Sequence, residues 1–174
     1  MSAASRMIAT AMTTPLASRR FCTFRVGADC FALESDAVAE VLRAGRLTAV
    51  PLAPPDVLGL VHLRGRIVPI VDLARRLGIV STGGGAATHL VIRLQDDWYG
   101  LLVDEMLDVI EIPSERIEHP TSASLDIGGE ALIGVFADED RLVHLLDPQR
   151  MIHSLGRQRP QPLAKNGASH GSPR

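Results

Sequence analysis

The feature of this sequence that most constrains its fold is an internal repeat of short aliphatic segments. Phe31 corresponds to Tyr99, 68 residues later, and further along the chain Gly59 corresponds to Gly134, 75 residues later. The other pairs at the first offset are Leu33 with Leu101, Val38 with Met106, Glu40 with Asp108, and Val41 with Val109. The other pairs at the second offset are Arg66 with Arg141, Ile67 with Leu142, Val68 with Val143, Ile70 with Leu145, Val71 with Leu146, and Asp72 with Asp147. The repeat indicates one strand-rich unit used twice, and chance likeness between short aliphatic strands is the alternative interpretation.

Each half of the repeat contains roughly five short strands. In the first of them, Phe24 and Val26 alternate with polar neighbours, which is the period-two pattern of a half-buried strand. Five strands close readily into a small barrel that leaves little exposed sheet edge. The sequence therefore predicts a mainly β fold of two five-stranded barrels packed side by side, with a groove between them and a few short helices.

Three local patterns add expectations that the structure can test. Ser35 and Asp36 can cap a short helical turn, and the apolar residues after it follow with helix-like spacing. Pro69 interrupts the apolar run IVPIV and removes one backbone donor, which predicts an edge strand or a bulge. Residues 113–130 are polar and favour a long exposed connection.

Charge and composition define the domain limits. Residues 1–20 contain three arginines and no acid, and residues 154–174 contain four cations and no acid. Removing these seven positive charges from the overall −2 leaves about −9 for residues 21–153, which argues against nucleic-acid binding by the body. We expect a disordered arm at 1–20, one domain at 21–153, and a disordered basic tail at 154–174. No run approaches the ~20 apolar residues of a membrane span.

No residue pattern typical of catalysis is present. The six histidines form neither HExxH nor a Cys/His pair at metal-ligand spacing, and no G-x-S-x-G motif occurs. The acidic clusters at 96–97 and 138–140 fall at predicted hairpin tips, where Asp is favoured by turn geometry. Cys22 and Cys30 are best interpreted as small buried hydrophobes. The sequence thus predicts no catalytic, cofactor or metal site, and no enzyme.

The passage VPLAPPDVLGLVHLRGRIVPIVDLARRLG resembles the signature region of the CheW family of chemotaxis coupling proteins. Its parts are a Pro-rich loop at 51–55, G-x-x-x-L-R-G at 59–65, and I-V-P-x-V-D-L at 67–73. The resemblance continues in FRVGADCFALESDAVAEVLR, WYGLLVDEMLDVIEIP and LIGVFADEDRLVHLLD. It covers residues 21–153 and implies two five-stranded SH3-like barrels, in agreement with the repeat.

The resemblance implies a non-catalytic adaptor without a cofactor. Its expected partners are the cytoplasmic tip of a chemoreceptor and the regulatory domain of a CheA-type histidine kinase. The expected location is the cytoplasm, at membrane-associated receptor arrays. The alternatives are a β-barrel sensor that binds a small molecule, and a scaffold in a pilus-linked or surface-sensing pathway.

The resemblance also implies two sets of interaction residues. The expected receptor-binding residues are Arg64, Glu40, Val38, Val41 and Leu42, of which the three apolar ones are expected to share one face. The expected kinase-binding residues are Leu52, Ala53 and Pro54. The chain departs from the family pattern at His62, where an Asn commonly precedes the Leu-Arg-Gly motif, and at His144, where an aliphatic residue is usual.

Overall fold

The structure is a computed structural model that describes residues 17–81, 87–138 and 141–153. Its ten strands form two five-stranded sheets. The strands are β1 (Ser18–Val26), β2 (Asp29–Glu34), β3 (Val38–Arg43), β4 (Val57–Leu63), β5 (Arg66–Asp72), β6 (Thr88–Leu94), β7 (Asp97–Val103), β8 (Glu105–Pro113), β9 (Leu132–Asp138) and β10 (Arg141–Leu146). The terminal sheet has the order β8-β1-β2-β10-β9, and the central sheet has the order β3-β6-β7-β5-β4.

The two sheets confirm the predicted mainly β class and correct the way in which the halves were expected to assemble. Each half supplies five strands, β1–β5 and β6–β10, but neither half forms its own sheet. Each sheet takes two strands from one half and three from the other. Replacing every strand of the central sheet by its repeat partner reproduces the order of the terminal sheet, so the repeat governs the topology although the halves are interleaved.

Neither sheet closes into a complete barrel. The edges of each are linked by one isolated bridge, Thr48 with Leu60 in the central sheet and Glu118 with Val135 in the terminal sheet. A glycine precedes the bridged strand residue in both cases, and a Cβ on Gly59 would lie 2.6 Å from the Thr48 carbonyl oxygen. The absence of a side chain at Gly59 therefore lets the segment that contains Thr48 approach β4.

Three short α-helices accompany the sheets, namely α1 (Leu73–Leu77), α2 (Ser122–Gly128) and α3 (Pro148–His153). The helices α1 and α3 follow equivalent strands and begin in the same way. The Asp72 carboxylate accepts from the Arg75 amide at 3.0 Å, and the Asp147 carboxylate accepts from the Gln149 amide at 2.8 Å. Such caps satisfy amides that lack a partner in the first helical turn. No helix in the described ranges is long and apolar enough to cross a membrane.

The core has three parts. A shared cluster joins the facing surfaces of the two sheets with α1 and α3, and it includes Phe24, Phe31, Leu90 and Leu101, all with no exposed surface. A second cluster lies on the other face of the terminal sheet, and a third lies on the other face of the central sheet. The sheets are thus held together by burial of their common apolar faces.

Four local expectations are corrected. Strand β1 begins at Ser18, so the last residues of the expected arm pair with β8, while residues 1–16 and the tail lie outside the described residues. A short 3-10 turn does occur at Ser35–Ala37, but the helix-like spacing after it belongs to the strand β3. The connection at 113–130 contains α2, which begins with a Thr121–Ser124 capping box. Pro69 lies in β5, which is an inner strand of the central sheet and not an edge strand. Pairing of β5 with β7 begins only at Ile70, so Pro69 does not need to donate a backbone hydrogen bond to β7.

Candidate functional site

The hairpin turn between β4 and β5 presents Arg64. Both turn residues have a positive φ, 51° at Arg64 and 77° at Gly65, which is the backbone geometry of a tight hairpin of the primed type. The side chain of Arg64 is 70% exposed, while that of its acidic partner Glu40 is 24% exposed. The turn therefore holds the guanidinium away from the body of the domain.

The Glu40 carboxylate accepts two hydrogen bonds from the Arg64 guanidinium. Arg64 Nε donates to Glu40 Oε2 at 2.9 Å, and Arg64 Nη2 donates to Glu40 Oε1 at 3.2 Å. The hydrogen bond and the charge of Glu40 raise the pKa of Arg64 above its ordinary value. The fork fixes the plane of the guanidinium and leaves its Nη1 side for a further acceptor. The two residues expected at a common surface are thus brought together.

The apolar residues around Glu40 do not share one face. Leu42 packs in the outer cluster of the central sheet, whereas Val38 packs in the shared cluster. Strict alternation along β3 would place these two side chains on one face, but a register shift between Val38 and Glu40 reverses the facing of Val38. Val41 pairs with Leu90 and is 47% exposed. The expectation of one helical face made of Val38, Val41 and Leu42 is therefore wrong, and Val41 alone offers a large accessible apolar surface.

Leu52, Ala53 and Pro54 lie in the loop before β4. Leu52 has a φ of 62° and a fully exposed side chain, Pro54 is exposed, and Ala53 is half-buried. The loop is stiffened by short backbone hydrogen bonds, including one from the Val57 amide to the Pro54 carbonyl at 2.9 Å. An exposed leucine on a backbone of restricted geometry loses little entropy on binding, which is the property of an interface anchor.

The base of this loop is fixed to the helices by charged hydrogen bonds. Arg76 Nη1 donates to Asp56 Oδ2 at 3.0 Å, and both side chains are nearly buried. Arg76 Nε and Nη2 also donate to the Met151 carbonyl oxygen at 3.0 and 2.9 Å. Arg75 donates to the Pro55 carbonyl. Sequence reasoning missed this anchor because Asp56 and Arg76 are 20 residues apart and belong to no common motif.

The two residue sets lie at opposite ends of β4. The loop with Leu52 precedes Val57, and the turn with Arg64 follows Leu63. Seven residues of extended strand separate them by about 20 Å. Both sets belong to the central sheet, which can therefore offer two separate surfaces to two partners.

No cluster of three or more His, Cys, Asp and Glu side chains that could hold a metal ion occurs among the described residues. Burial raises the pKa of the Cys22 and Cys30 thiols, which disfavours the reactive thiolates. Burial also lowers the pKa of His89 and His144, and His144 Nδ1 has no hydrogen-bond partner among the residues that the structure describes.

Comparison with known proteins gives a consistent result. The sequence pattern of the CheW-like domain matches residues 20–156. A probable chemotaxis protein CheW of Rhizobium etli is 31% identical over 131 residues, which cover 74% of this chain and 84% of that protein. The protein FrzA of Myxococcus xanthus is 31% identical over 144 residues, covering 81% and 89%. The crystal structure of the scaffolding protein TtCheW from Thermoanaerobacter tengcongensis matches with a TM-score of 0.70 at 25% identity, covering 76% of this chain and 86% of that one.

Proposed function

Because this chain belongs to the family of CheW-like domains, we propose that it couples chemoreceptors to a CheA-type histidine kinase and performs no catalysis itself. It is a chemotaxis adaptor of the scaffold type, and two separate interaction surfaces on one rigid sheet are what such a bridge requires. Its place of action would be the cytoplasm, at receptor arrays beneath the membrane.

The forked Glu40–Arg64 pair carries the receptor side of the proposal. The pair fixes an exposed guanidinium whose remaining donors can bind a carboxylate or backbone carbonyls of a receptor helix. Val41, the next residue of β3, would add an apolar contact on the other face of the strand. Val38 and Leu42 would support β3 from within, since both are partly buried in the core.

The Leu52 loop carries the kinase side of the proposal. Leu52 would insert into an apolar recess of the kinase regulatory domain, and Ala53 and Pro54 would border the contact. The Asp56–Arg76 anchor keeps the loop in position before binding, which reduces the entropy lost in the complex.

The receptor assignment is tested by replacing Arg64 in the full chain. Arg64→Ala is expected to weaken binding to a receptor cytoplasmic fragment about tenfold, the order of one lost charge-assisted hydrogen bond. Arg64→Lys keeps the charge but loses the fork, so it should also weaken binding. Binding to the kinase regulatory domain should be unchanged, and calorimetric titration measures both affinities. Equal receptor affinity for wild type and Arg64→Ala would contradict the assignment.

The kinase assignment is tested by Leu52→Ser, with Val80→Ser as the matched control. Both side chains are highly exposed, so neither change should affect folding. Leu52→Ser is expected to weaken kinase binding at least about tenfold and leave receptor binding intact, as for an interface anchor. Val80→Ser should alter neither kinase binding nor receptor binding. Loss of both partners in Leu52→Ser would indicate a change of fold and contradict two separate surfaces.

A further inference from the structure

The two copies of the repeated unit differ in the segment that leads into β4 and into β9. In both copies this segment begins at an isolated bridge and ends at a backbone hydrogen bond of 2.8 Å. The bridges are Thr48 with Leu60 and Glu118 with Val135. The hydrogen bonds run from the Asp72 amide to the Asp56 carbonyl and from the Asp147 amide to the Ala131 carbonyl. Seven residues, 49–55, lie between these points in the central sheet, and twelve residues, 119–130, lie between them in the terminal sheet.

The longer segment contains the helix α2, whereas the shorter one contains turns. Residues 49–55 are all described, and none of them is helical. Pro51, Pro54 and Pro55 restrict the backbone there and remove amide donors, so a helix cannot form. This shorter segment is the loop that carries Leu52. The Leu52 loop therefore stands at the point of the repeat where the terminal copy has α2.

The helix α2 covers part of the terminal sheet. It packs against β9 and β10, and its residue Ile127 packs against the shared cluster. On that face of the two strands Leu132, Val135 and His144 are no more than 5% exposed. The terminal sheet thus closes this face with a helix from its own chain.

The equivalent face of the central sheet has no such cover from the described residues. The repeat partners of the three buried residues are Val57, Leu60 and Pro69, and all three are half-buried. Val57 pairs with Val71 of the shared cluster. The residues that follow Leu60 and precede Pro69 belong to the outer cluster, so Leu60 and Pro69 themselves face the other side. We refer to Val57, Leu60 and Pro69 as the open face.

The next residue along each strand shows how far a helix in this position extends. Leu142 of β10 is 48% exposed although α2 is present, and its repeat partner Ile67 is 60% exposed. A helix placed on the central sheet as α2 is placed on the terminal sheet would therefore cover the open face and leave Ile67 accessible. Ile67 thus provides a control position on the same face of the same sheet.

We propose that the kinase regulatory domain places a short apolar helix on the open face, in the position that α2 has on the terminal sheet. This inference rests on the kinase assignment of the Leu52 loop made above. The Leu52 loop leads directly into Val57, whereas Arg64 lies at the other end of β4. One partner can therefore contact Leu52 and the open face at once. The helix should present aliphatic side chains, as α2 presents Ile127, because the open face carries no charge.

The contribution of the open face is tested by Leu60→Gln, with Ile67→Gln as the matched control. In the full chain, Leu60→Gln is expected to weaken binding to the kinase regulatory domain about tenfold, because an amide replaces an apolar anchor. Ile67→Gln should leave kinase binding unchanged. Calorimetric titration measures the affinities, and urea denaturation shows that each variant is folded. Equal kinase affinity for wild type and a folded Leu60→Gln would overturn the proposal.

Cysteine labelling tests the same contact with a smaller change of the side chain. Cys22 and Cys30 are buried, so a maleimide should react selectively with a cysteine introduced on the surface. A saturating kinase regulatory domain is expected to slow labelling of Leu60→Cys at least about fivefold and to leave labelling of Ile67→Cys unchanged, because access to the thiol controls its reaction. Protection of Leu60→Cys by a receptor fragment and not by the kinase domain would overturn the proposal.

These measurements separate the open face from the kinase assignment itself. If wild type binds the kinase domain and Leu52→Ser weakens that binding, the kinase assignment stands. Wild-type affinity of Leu60→Gln and unprotected labelling of Leu60→Cys would then overturn the role of the open face alone. If wild type does not bind the kinase domain at all, both proposals fail.

Discussion

The two sheets have the same pairing order but bury their outer faces to different extents. The outer cluster of the terminal sheet contains seven buried residues and four partly buried ones. The outer cluster of the central sheet contains three fully buried residues and seven partly buried ones. The terminal sheet has a closed outer face that serves stability, and the central sheet keeps apolar surface within reach of partners.

The ion pairs at the edges of the two sheets also differ in how firmly they hold an arginine. In the central sheet Glu40 and Arg64 form a two-point fork at 2.9 and 3.2 Å. In the terminal sheet the repeat partner of Glu40 is Asp108, which approaches Arg141 only to 3.8 Å, while Arg141 also contacts Asp138 at 3.3 Å. The central sheet fixes a guanidinium in one plane while exposing it, so the two surfaces are not interchangeable.

The largest expected effect compares equivalent core positions. Leu145 and Ile70 are repeat partners with no exposed surface, but Leu145 lies among fully buried neighbours. We expect Leu145→Ala to lower the free energy of unfolding by about 4 kcal/mol and Ile70→Ala by about 2 kcal/mol, because partly exposed neighbours can close the smaller cavity. Urea denaturation measures both. A larger loss of unfolding free energy for Ile70→Ala would contradict the conclusion that the outer face of the terminal sheet is the better packed one.

The next effect compares the glycines at the closing bridges. A Cβ on Gly59 would lie 2.6 Å from a backbone oxygen, and the residue has a φ of 153°, whereas a Cβ on Gly134 would first meet the Ile117 side chain. Gly59→Ala should therefore cost about 2–3 kcal/mol, and Gly134→Ala about 1 kcal/mol, since a side chain can move and a strand backbone cannot. Thermal unfolding of both variants measures the difference. Equal losses of unfolding free energy would show that both bridges accommodate an added Cβ equally well, and would contradict the predicted difference.

A smaller effect concerns the buried histidine of the terminal sheet, whose repeat partner is Pro69. Burial lowers the pKa of His144 below its ordinary value, so below about pH 6.5 the unfolded chain binds a proton that the folded chain does not. Stability should be constant above that pH and fall as the pH decreases toward the lower pKa of the folded state. His144→Leu also removes the unpaired Nδ1, so it should gain about 1 kcal/mol at pH 7 and reduce the slope in acid.

Urea denaturation at several pH values measures this slope. His62→Gln is the control for the replacement of a histidine, because His62 is exposed. Part of the slope should persist in His144→Leu, since burial also lowers the pKa of His89 in the central sheet. An unchanged slope in His144→Leu would contradict the assignment of acid sensitivity to the terminal sheet.

The smallest expected effect concerns the ion pair of the terminal sheet. Arg141→Ala should change the free energy of unfolding by no more than about 0.5 kcal/mol, as is usual for partly exposed ion pairs. It should leave receptor binding unchanged, in contrast to Arg64→Ala. Calorimetric titration with the receptor fragment tests this, and a loss of affinity like that of Arg64→Ala would show that the two sheets share the receptor surface.

The sequence by itself determined the strand-rich class, the number of strands and the family. These properties follow from period-two alternation, from the repeat and from the motif at 59–73, all of which are local or regularly spaced. The start of α3 is also visible in the sequence, where Asp147 precedes Pro148. The acidic body and basic ends followed directly from charge counting.

Only the tertiary structure decided which strands pair and which residues meet. Interleaving of the halves could not be read from the repeat, since equivalent strands satisfy the same pattern in either arrangement. The assignment of β3 as a strand depended on pairing with β6, which overrides a short helix-like spacing and moves Val41 away from the face of Leu42. The Asp56–Arg76 anchor joins residues that are distant in sequence, because such contacts depend on register and not on spacing along the chain.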